Sequence, residues 1–370
     1  MKKLNFLFAL ILIGAVCFSC KKTEQEQIIT STDRTTIQNP ALDVEKVNQR
    51  INARLASLRV YQEQLAQSGN SNRDCMQTVI VPDDASTIQE AIDMVCAYGE
   101  VVVQSGTYTE SLFIAFKPGI HIRAVGNVIL NGDFFIAYGA DNTILEGFQI
   151  VLPDYPVYWD AIFLYYVSGC VIKKNIISNQ AYPGLESEDY GITLWEAAND
   201  NQIKDNEISE MFCGILLGNL NLDQTCSNNM IKGNLLSYAE RGIWLIFDCD
   251  DNKVMNNQIN NSLGPVLMGI SMSGMNSVGI DFFVENNQIK NNHVCYCDLD
   301  GITINTSFDN MIGPNNKCNY NGRDGISLFP FTGNNHVINN EALYNTGFDI
   351  WNGGVNNTFK ANTAVNTFGL

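Results

Sequence analysis

The hydrophobic and polar positions of this chain follow two different periods, and each period predicts a different kind of structure. Between residues 44 and 65, apolar residues recur at spacings of three and four, which predicts an amphipathic helix over residues 44–68. Over residues 78–370 the apolar runs are short, rich in Val and Ile, and separated by Asn, Asp and Gly, which is typical of strands joined by tight turns. The pattern therefore predicts a helix followed by a long β domain.

A second, shorter helix is predicted at the start of the β domain. Ser86 and Gln89 form a capping-box pattern, and Ile88, Ala91 and Ile92 share one side of the helix that would follow. A single helix before many strands suits the first coil of a solenoid, because a terminal repeat must cover an otherwise open core and strand edge. We therefore expect this helix to cap the β domain.

Two sequence elements repeat along the β domain. The first is Gly-Ile-x-(Leu/Ile/Met), which begins at residues 191, 214, 242, 269, 301 and 325. The second is Asn-x-apolar-x-x-Asn, and its two asparagines form two columns. The first column contains Asn201, Asn229, Asn252, Asn287, Asn310, Asn335 and Asn357, and the second contains Asn175, Asn206, Asn234, Asn257, Asn292, Asn315, Asn340 and Asn362. The shortest intervals, 22 and 23 residues, give the length of one coil. This repetition predicts a solenoid of about ten coils with loop insertions.

The asparagine columns have a structural interpretation. Asn adopts left-handed backbone conformations more readily than most residues that carry a Cβ, so it suits the corners between short strands. Asparagines stacked one coil apart, about 4.8 Å, can also hydrogen-bond to each other through their amides. We therefore expect both asparagine columns to stabilise the fold rather than to bind a ligand.

These repeats resemble those of the right-handed parallel β-helix, or pectin-lyase-like, superfamily. Within it they are most similar to the NosD-type repeat domains of carbohydrate-binding proteins and sugar hydrolases. The segments TIQEAIDM and EVVVQSGTYTES resemble the capping segment that opens many of these proteins. The resemblance covers residues 78–370 and implies an all-β fold, a right-handed parallel β-helix with an N-terminal capping helix. It leaves the function open, because the superfamily contains lyases, hydrolases, epimerases and proteins without known catalysis.

The N-terminal segment is typical of an exported bacterial lipoprotein. Two lysines precede an apolar run over residues 4–17 that is too short to span a bilayer, so residues 1–19 are interpreted as a signal peptide. Cys20 follows a small residue, as at a lipoprotein cleavage site, and is the predicted acylated residue. Residues 20–43 would form a polar tether to the cell envelope, on the outer membrane or the periplasmic face. Plain secretion is the alternative.

The helix over residues 44–68 has two interpretations. Its apolar positions cover about three heptads over residues 44–65, enough for a coiled coil that would make the protein a homo-oligomer. The same apolar stripe would also suit a helix that lies on the β domain. Arg54 is the one polar residue within the stripe.

Composition excludes one class of partner and gives little support to metal binding. The formal net charge of the chain is −17, and nucleic acid, whose phosphates attract basic surfaces, is therefore not an expected partner. With three histidines in 370 residues, no metal site is predicted. Bound Ca²⁺ would be implied only if the protein were a lyase or epimerase.

Eleven cysteines are present, and an exported protein can form disulfides. Alignment of the coils predicts three candidate pairs, namely Cys226–Cys249, Cys295–Cys318 and Cys75–Cys96. The last pair brackets the capping helix. Disulfides or packed thiols are favoured over a thiolate metal site at Cys295-x-Cys297, whose spacing is short for a structural zinc loop.

The insertions that lead into the Gly-Ile strands carry aromatic and acidic residues. Sugars present flat C–H faces to aromatic rings and hydroxyls to carboxylates, so this edge of the coils is a candidate glycan-binding wall. Its candidate residues are Tyr158, Trp159, Asp160, Asp189, Tyr190 and Glu240. The position before each Gly-Ile pair, here named the slot, is occupied by Tyr190, Cys213, Arg241, Met268, Asp300 and Asp324, and Asp160 has the same position before an Ala-Ile pair.

Asp300 and Asp324 are the candidate catalytic pair. On neighbouring coils their carboxyls would lie about 5 Å apart or more, and glycosidases use pairs about 5–9.5 Å apart. The stretch around Asp300 resembles the Asn-Thr-Asp-Gly stretch of polygalacturonases, but the other catalytic elements of that family have no match here. The signatures of alginate epimerases and pectate lyases are missing too. Arg241 is the candidate for lyase or epimerase chemistry.

Two classes of function follow. The first is an extracytoplasmic, lipid-anchored protein that binds polysaccharide or acts as a surface scaffold without turnover. The second is a polysaccharide-active enzyme, a glycoside hydrolase or a lyase or epimerase, acting in a groove along the stacked loops. The missing catalytic elements favour the first class.

Overall fold

The structure, a computed structural model, is a parallel β-helix of about ten coils with one helix on its side. It describes residues 44–67, 75–153, 159–179, 189–220, 224–260, 266–273, 275–277 and 280–370. The predicted signal peptide, the tether and Cys20 lie outside these residues. The predicted fold class is confirmed.

Each coil contributes short parallel strands to three faces. Two long strands, Val95–Ala115 and His121–Ala137, run through all three faces at the N-terminal end, and Met76–Val81 pairs with the first of them. The face formed by the Asn-x-apolar segments continues through Ile144–Glu146, Val171–Lys173, Gln202–Lys204, Met230–Lys232, Lys253–Met255, Gln288–Lys290, Met311–Ile312, His336–Ile338 and Thr358–Lys360.

The second face follows the second asparagine column. It contains Gln149–Leu152, Ile176–Asn179, Gln258–Asn260 and His293–Cys295, together with the first halves of Glu207–Gly218 and Leu235–Ile246. The second halves of those two strands belong to the Gly-Ile face. That face also contains Asp160–Tyr165, Tyr190–Trp195, Val266–Ser273, Ile302–Asn305, Ile326–Leu328, Ile350–Asn352 and Thr367–Phe368.

Two short pairings lie beside the three faces. Met275–Ser277 pairs antiparallel with Ile280–Phe282, and Val284–Glu285 pairs parallel with Ser307–Phe308.

The isoleucines of the Gly-Ile repeat form a continuous core column. On successive coils each is the Cα partner of the next, from Ile192 through Ile215, Ile243, Ile270, Ile302 and Ile326 to Ile350. All are fully buried, and each buried side chain contributes roughly 1.5–3 kcal/mol. The glycine of the motif is needed for space, because a Cβ at Gly269 would lie 2.0 Å from Cγ1 of Val294.

The two asparagine columns are hydrogen-bond ladders. In both, the backbone N–H of one asparagine donates to Oδ1 of the asparagine one coil on, as from Asn234 to Asn257 at 3.0 Å. The Asn257 amide then donates to the carbonyl of Ile231 at 3.0 Å. These bonds satisfy buried backbone N–H and C=O groups at the corners, which lie outside the strand pairings. The residue before the column, such as Asn256 with φ 56°, takes the left-handed conformation. The left-handed role therefore belongs to the preceding position and not to the column asparagine.

One member of the second column differs from the prediction. Asn316, not Asn315, accepts the backbone N–H of Asn292, at 3.0 Å. The coil contains one extra residue at Gly313-Pro314. Asn310 therefore precedes Asn316, its partner position in the second column, by six positions rather than the usual five. Asn315 instead occupies the left-handed corner position.

The predicted capping helix, α2, spans Ile88–Met94 and buries Ile88, Ala91 and Ile92 at the end of the core. Its N-cap is Thr87 rather than Ser86, and the side chain of Thr87 accepts the backbone N–H of Glu90. The N-cap is therefore shifted by one residue, and the Glu90 carboxylate accepts the backbone N–H of Ser86. The Cys75–Cys96 disulfide is present and joins the segments on either side of α2.

Neither of the other two predicted disulfides, Cys226–Cys249 and Cys295–Cys318, is formed. Cys226 and Cys249 stack as predicted, but they are free thiols in hydrogen-bond contact, and burial raises the pKa of Cys249. Cys295 is disulfide-bonded, but not to Cys318, which is a free buried thiol. The extra residue at Gly313-Pro314 explains this error, because a slip of one position turns a side chain to the opposite face of the sheet.

The first helix, α1, spans Val44–Gln67 and lies on the outer side of the Gly-Ile face. Ile51 and Leu58 are buried against a cluster that contains Phe135 and Phe163. Tyr61 stacks on Phe113 with ring centroids 5.5 Å apart. Of the two interpretations of this helix, the structure shows the one that packs it on the β domain.

The ladders predict a position-specific effect on stability. Asn257→Ala would leave the N–H of Asn234 and the carbonyl of Ile231 without partners, each a loss of about 1–3 kcal/mol, and should lower the free energy of unfolding by about 2–4 kcal/mol. Asn256→Gly, at the adjacent exposed left-handed position, should be close to neutral. Urea denaturation followed by circular dichroism measures both, and equal effects would contradict the ladder role.

Candidate functional site

The slot residues form the column that the sequence predicted. Cα partners on successive coils are Asp160 and Tyr190, Tyr190 and Cys213, Cys213 and Arg241, and Arg241 and Met268. Tyr158 lies outside the described residues, as do the loops over residues 180–188 and 261–265. The column divides into three parts with different chemistry.

At the N-terminal part, Arg54 of α1 fills a pocket made by Asp133 and Trp159. Its Nη1 lies 2.8 Å from Oδ2 of Asp133, and both side chains are fully buried. The guanidinium lies 3.9 Å from the centroid of the Trp159 ring, and Nε1 of Trp159 donates to the same carboxylate. Nη2 donates to the backbone carbonyl of Asp160 at 2.7 Å. This pocket therefore binds a flat cation between a ring and a carboxylate.

A second pocket beside the first holds Arg50. Its Nε lies 3.3 Å from Oδ2 of the fully buried Asp160, and its guanidinium lies 4.1 Å from the centroid of the Tyr190 ring. Oδ1 of Asp160 accepts a hydrogen bond from Thr193 at 2.5 Å. Asp189 positions the first pocket by accepting the backbone N–H of Trp159 at 2.7 Å. Four predicted wall residues, Trp159, Asp160, Asp189 and Tyr190, are thus brought together.

Three residues of these pockets were missed by sequence reasoning: Arg50, Arg54 and Asp133. Arg54 gave a signal, since it was the polar residue in the apolar stripe of the helix. Arg50 lies four residues earlier and so shares its helix face. Asp133 gave no signal, because nothing in the local sequence marks it as the partner of a residue 79 positions away.

In the middle of the column, Arg241 is fully buried. Its guanidinium lies 4.0 Å from the Trp244 ring, and Nη1 lies 3.5 Å from Sδ of Met268. Burial lowers the pKa of Arg241, and the neighbouring charge of Glu240 acts against this. Burial also raises the pKa of Cys213 to about 12. Neither Arg241 nor Cys213 is placed in an open groove, so the geometry gives Arg241 no access to a polysaccharide.

At the C-terminal part, Asp300 is fully buried and held by Arg323. Nε and Nη2 of Arg323 donate to the two carboxylate oxygens at 2.7 and 2.5 Å. Thr303 and the backbone N–H of Asp324 donate to the same carboxylate. Burial would lower the pKa of Arg323, but the bonds to Asp300 raise it above its usual value. Four donors therefore saturate the Asp300 carboxylate.

Asp324 continues the same arrangement on the next coil. Its Oδ1 accepts the backbone N–H of Phe348 at 2.6 Å, and its Oδ2 lies 3.2 Å from the hydroxyl of Ser327. One coil further, Asp349 accepts the backbone N–H groups of Val365 and Asn366. Three buried aspartates thus form an acidic counterpart of the asparagine ladders. The environment of Asp300 and Asp324 favours a structural role over the catalytic role that the sequence suggested.

The described residues contain no group of three or more His, Cys, Asp or Glu side chains placed to hold a metal ion. Neither of the described helices is long and apolar enough to span a bilayer.

Comparison with known proteins identifies the fold. A family model, that of NosD, described as a periplasmic copper-binding protein, matches residues 102–264. No curated protein matches the sequence. The A-module of mannuronan C-5 epimerase AlgE6 from Azotobacter vinelandii is similar in structure, with a TM-score of 0.59 and 14% identity over 76% of this chain and 83% of that one.

A second similar structure is the Dettilon tailspike protein. Its TM-score is 0.54 at 15% identity, covering 79% of this chain and 68% of the tailspike chain. At such low identity these similarities show the fold alone. The fold is that of a right-handed parallel β-helix.

The geometry of Asp300 gives a test of its role. Arg323→Met would leave a buried carboxylate without its cation and should lower the free energy of unfolding by about 3 kcal/mol or more. Lys360→Met, at an exposed lysine, should change it by less than about 0.5 kcal/mol. Urea denaturation measures both. A negligible effect of Arg323→Met would indicate a solvated carboxylate and return Asp300 to the catalytic candidates.

Proposed function

We propose that this right-handed parallel β-helix is an exported, lipid-anchored protein that binds polysaccharide at the edge formed by Trp159, Asp160, Asp189 and Tyr190, without cleaving it. The anchor would be Cys20, which follows the predicted signal peptide. The β-helix would act as the rigid support that holds the binding residues on successive coils.

The observation that carries this proposal is the pairing of an aromatic ring with a carboxylate in two adjacent pockets. Trp159 lies beside Asp133, and Tyr190 lies beside Asp160. Each pair contacts an arginine guanidinium, which is flat and donates hydrogen bonds. A sugar ring requires the same two contacts, an aromatic face for its C–H groups and an acceptor for its hydroxyls. Glu240, the remaining described wall residue, stands beside the buried Arg241 and is a weaker candidate.

Binding without turnover is favoured because the candidate catalytic groups are already engaged. The Asp300 carboxylate accepts four hydrogen bonds, and Asp324 accepts a backbone N–H, so neither is placed to transfer a proton or attack a sugar. The epimerase that shares the fold acts on mannuronan by its name. From this similarity we infer for the present protein only the class of ligand, polysaccharide. Copper binding, named in the NosD description, finds no donor set among the described residues.

Binding can be tested with the full mature protein. Affinity electrophoresis through gels that contain neutral, acidic or amino polysaccharides should show retardation by at least one of them. Trp159→Ala should weaken that retardation by about 10-fold or more, equivalent to about 1.4 kcal/mol, because the sugar loses its stacking surface. Trp351→Ala, an aromatic truncation on a distant coil, should leave it unchanged. Equal behaviour of both variants would reject this edge as the binding site.

The lipid anchor has its own test. In cells, the wild-type protein should partition with membranes, because buried acyl chains contribute roughly 0.8 kcal/mol per methylene. Cys20→Ser should release it to the soluble fraction. Ser31→Ala, a change in the predicted tether, should leave the partition unchanged. A soluble wild-type protein would show plain secretion instead.

A further inference from the structure

Helix α1 docks on the proposed binding edge through its arginines. Arg54 and Arg50 lie over the rings of Trp159 and Tyr190, and they pair with the carboxylates of Asp133 and Asp160. The pockets that we propose for polysaccharide are therefore occupied by a segment of the same chain. Because α1 belongs to no strand pairing of the β-helix, its departure would break no sheet hydrogen bond.

The ionic part of this docking is incompletely satisfied. Oδ1 of Asp133, Nε of Arg54 and Nη2 of Arg50 are buried without a hydrogen-bond partner among the described residues. Burying an ion costs several kcal/mol, and attraction between the partners offsets this only when the remaining donors and acceptors are also bonded. The arginine contacts therefore stabilise the docked helix less than their number suggests. Ile51, Leu58 and Tyr61 supply the apolar part.

The charges of the pockets decide what could replace the arginines. A ligand that displaces α1 leaves two carboxylates, Asp133 and Asp160, without their guanidinium partners. A neutral sugar does not compensate these charges, and an anionic sugar adds repulsion to a chain whose net charge is already −17. A sugar with a free amino group supplies a ring for the aromatic face and an ammonium for the carboxylate. Its chemistry matches that of the bound arginines.

We propose that α1 is an internal ligand covering a site for a cationic, amino-sugar polysaccharide, which displaces the helix when it binds. This proposal rests on the proposed polysaccharide binding at the same edge. Phe134, next to Asp133, is the Cα partner of Ile162, two residues after Asp160, so the two carboxylates lie on neighbouring coils and the two pockets are about one coil, 4.8 Å, apart. That separation is comparable to the length of one sugar unit, and neighbouring amino sugars can occupy both pockets.

The test compares three forms of the full mature chain. Arg50→Glu with Arg54→Glu places carboxylates against Asp160 and Asp133 and should release α1. Arg59→Glu with Lys360→Glu makes the same change of net charge at two exposed positions and serves as the control. Arg50→Gln with Arg54→Gln is a milder release variant in case the first fails to fold. Far-UV circular dichroism verifies the β-helix in each form.

Two measurements are needed, one for the helix and one for the ligand. Hydrogen exchange of residues 50–61 should accelerate in the release variant, and in the wild type when chitosan oligosaccharides are added. The release variant should bind these oligosaccharides about 10-fold more tightly than the wild type, because binding no longer competes with α1. The charge-matched control should behave as the wild type. Trp159→Ala in the release background should abolish the gain.

The outcomes separate this proposal from the proposed function. Equal chitosan affinity in all forms, with no change in exchange of α1, would show binding at another site and overturn the internal-ligand proposal. Preferential binding of polygalacturonate or of cello-oligosaccharides to the release variant would overturn the assignment of a cationic ligand. If α1 is released but no polysaccharide binds any form, the proposed function itself fails.

Discussion

A buried backbone N–H at each corner of the coil must find an acceptor, and the rest of the structure depends on how this is achieved. Strand pairing satisfies the flat faces, but the corners lie outside the strands. The side chain of the next coil supplies the acceptor, as Asn257 does for Asn234 and Asn292 does for Asn257. Because an unsatisfied buried group costs about 1–3 kcal/mol, each coil specifies a polar residue of the next. The stacking of coils is therefore set by polar contacts as much as by the isoleucine core.

The same requirement explains why the apparent catalytic residues are engaged. At the corner before the last Gly-Ile strands, aspartates take the place of asparagines, and Asp300 and Asp324 accept backbone N–H groups of the following coil. A carboxylate oxygen accepts the backbone N–H as an amide oxygen does, but it cannot donate to a carbonyl as the asparagine amide does, and its charge must be balanced. Arg323 balances the charge of Asp300. Two aspartates in one column therefore indicate hydrogen bonding at the coil corners more directly than they indicate catalysis.

Helix α1 connects the fold with function because it uses the outer side of the β-helix rather than its core. Its apolar residues cover aromatic rings of the Gly-Ile face, and its arginines fill the pockets beneath. The proposed binding edge is thus combined with a segment whose arginines match its rings and carboxylates. This segment lies between the predicted tether and the β domain, so the residues that cover the proposed edge are close in sequence to the proposed site of attachment.

The sequence by itself determined the coil length, the Gly-Ile column, the first asparagine column and the position of α2, because each follows from a repeated local pattern. It did not determine register after the extra residue at Gly313-Pro314, where one added position exchanges Asn315 for Asn316 and turns Cys318 away from Cys295. Nor could it assign Arg54, whose partners Asp133 and Asp160 lie 79 and 106 residues away. Contacts at such separations arise only when the helix folds back on the completed coils. The candidate residues of the edge came from the sequence, but only the tertiary structure showed which of them are bonded into the fold and which are covered by the chain itself.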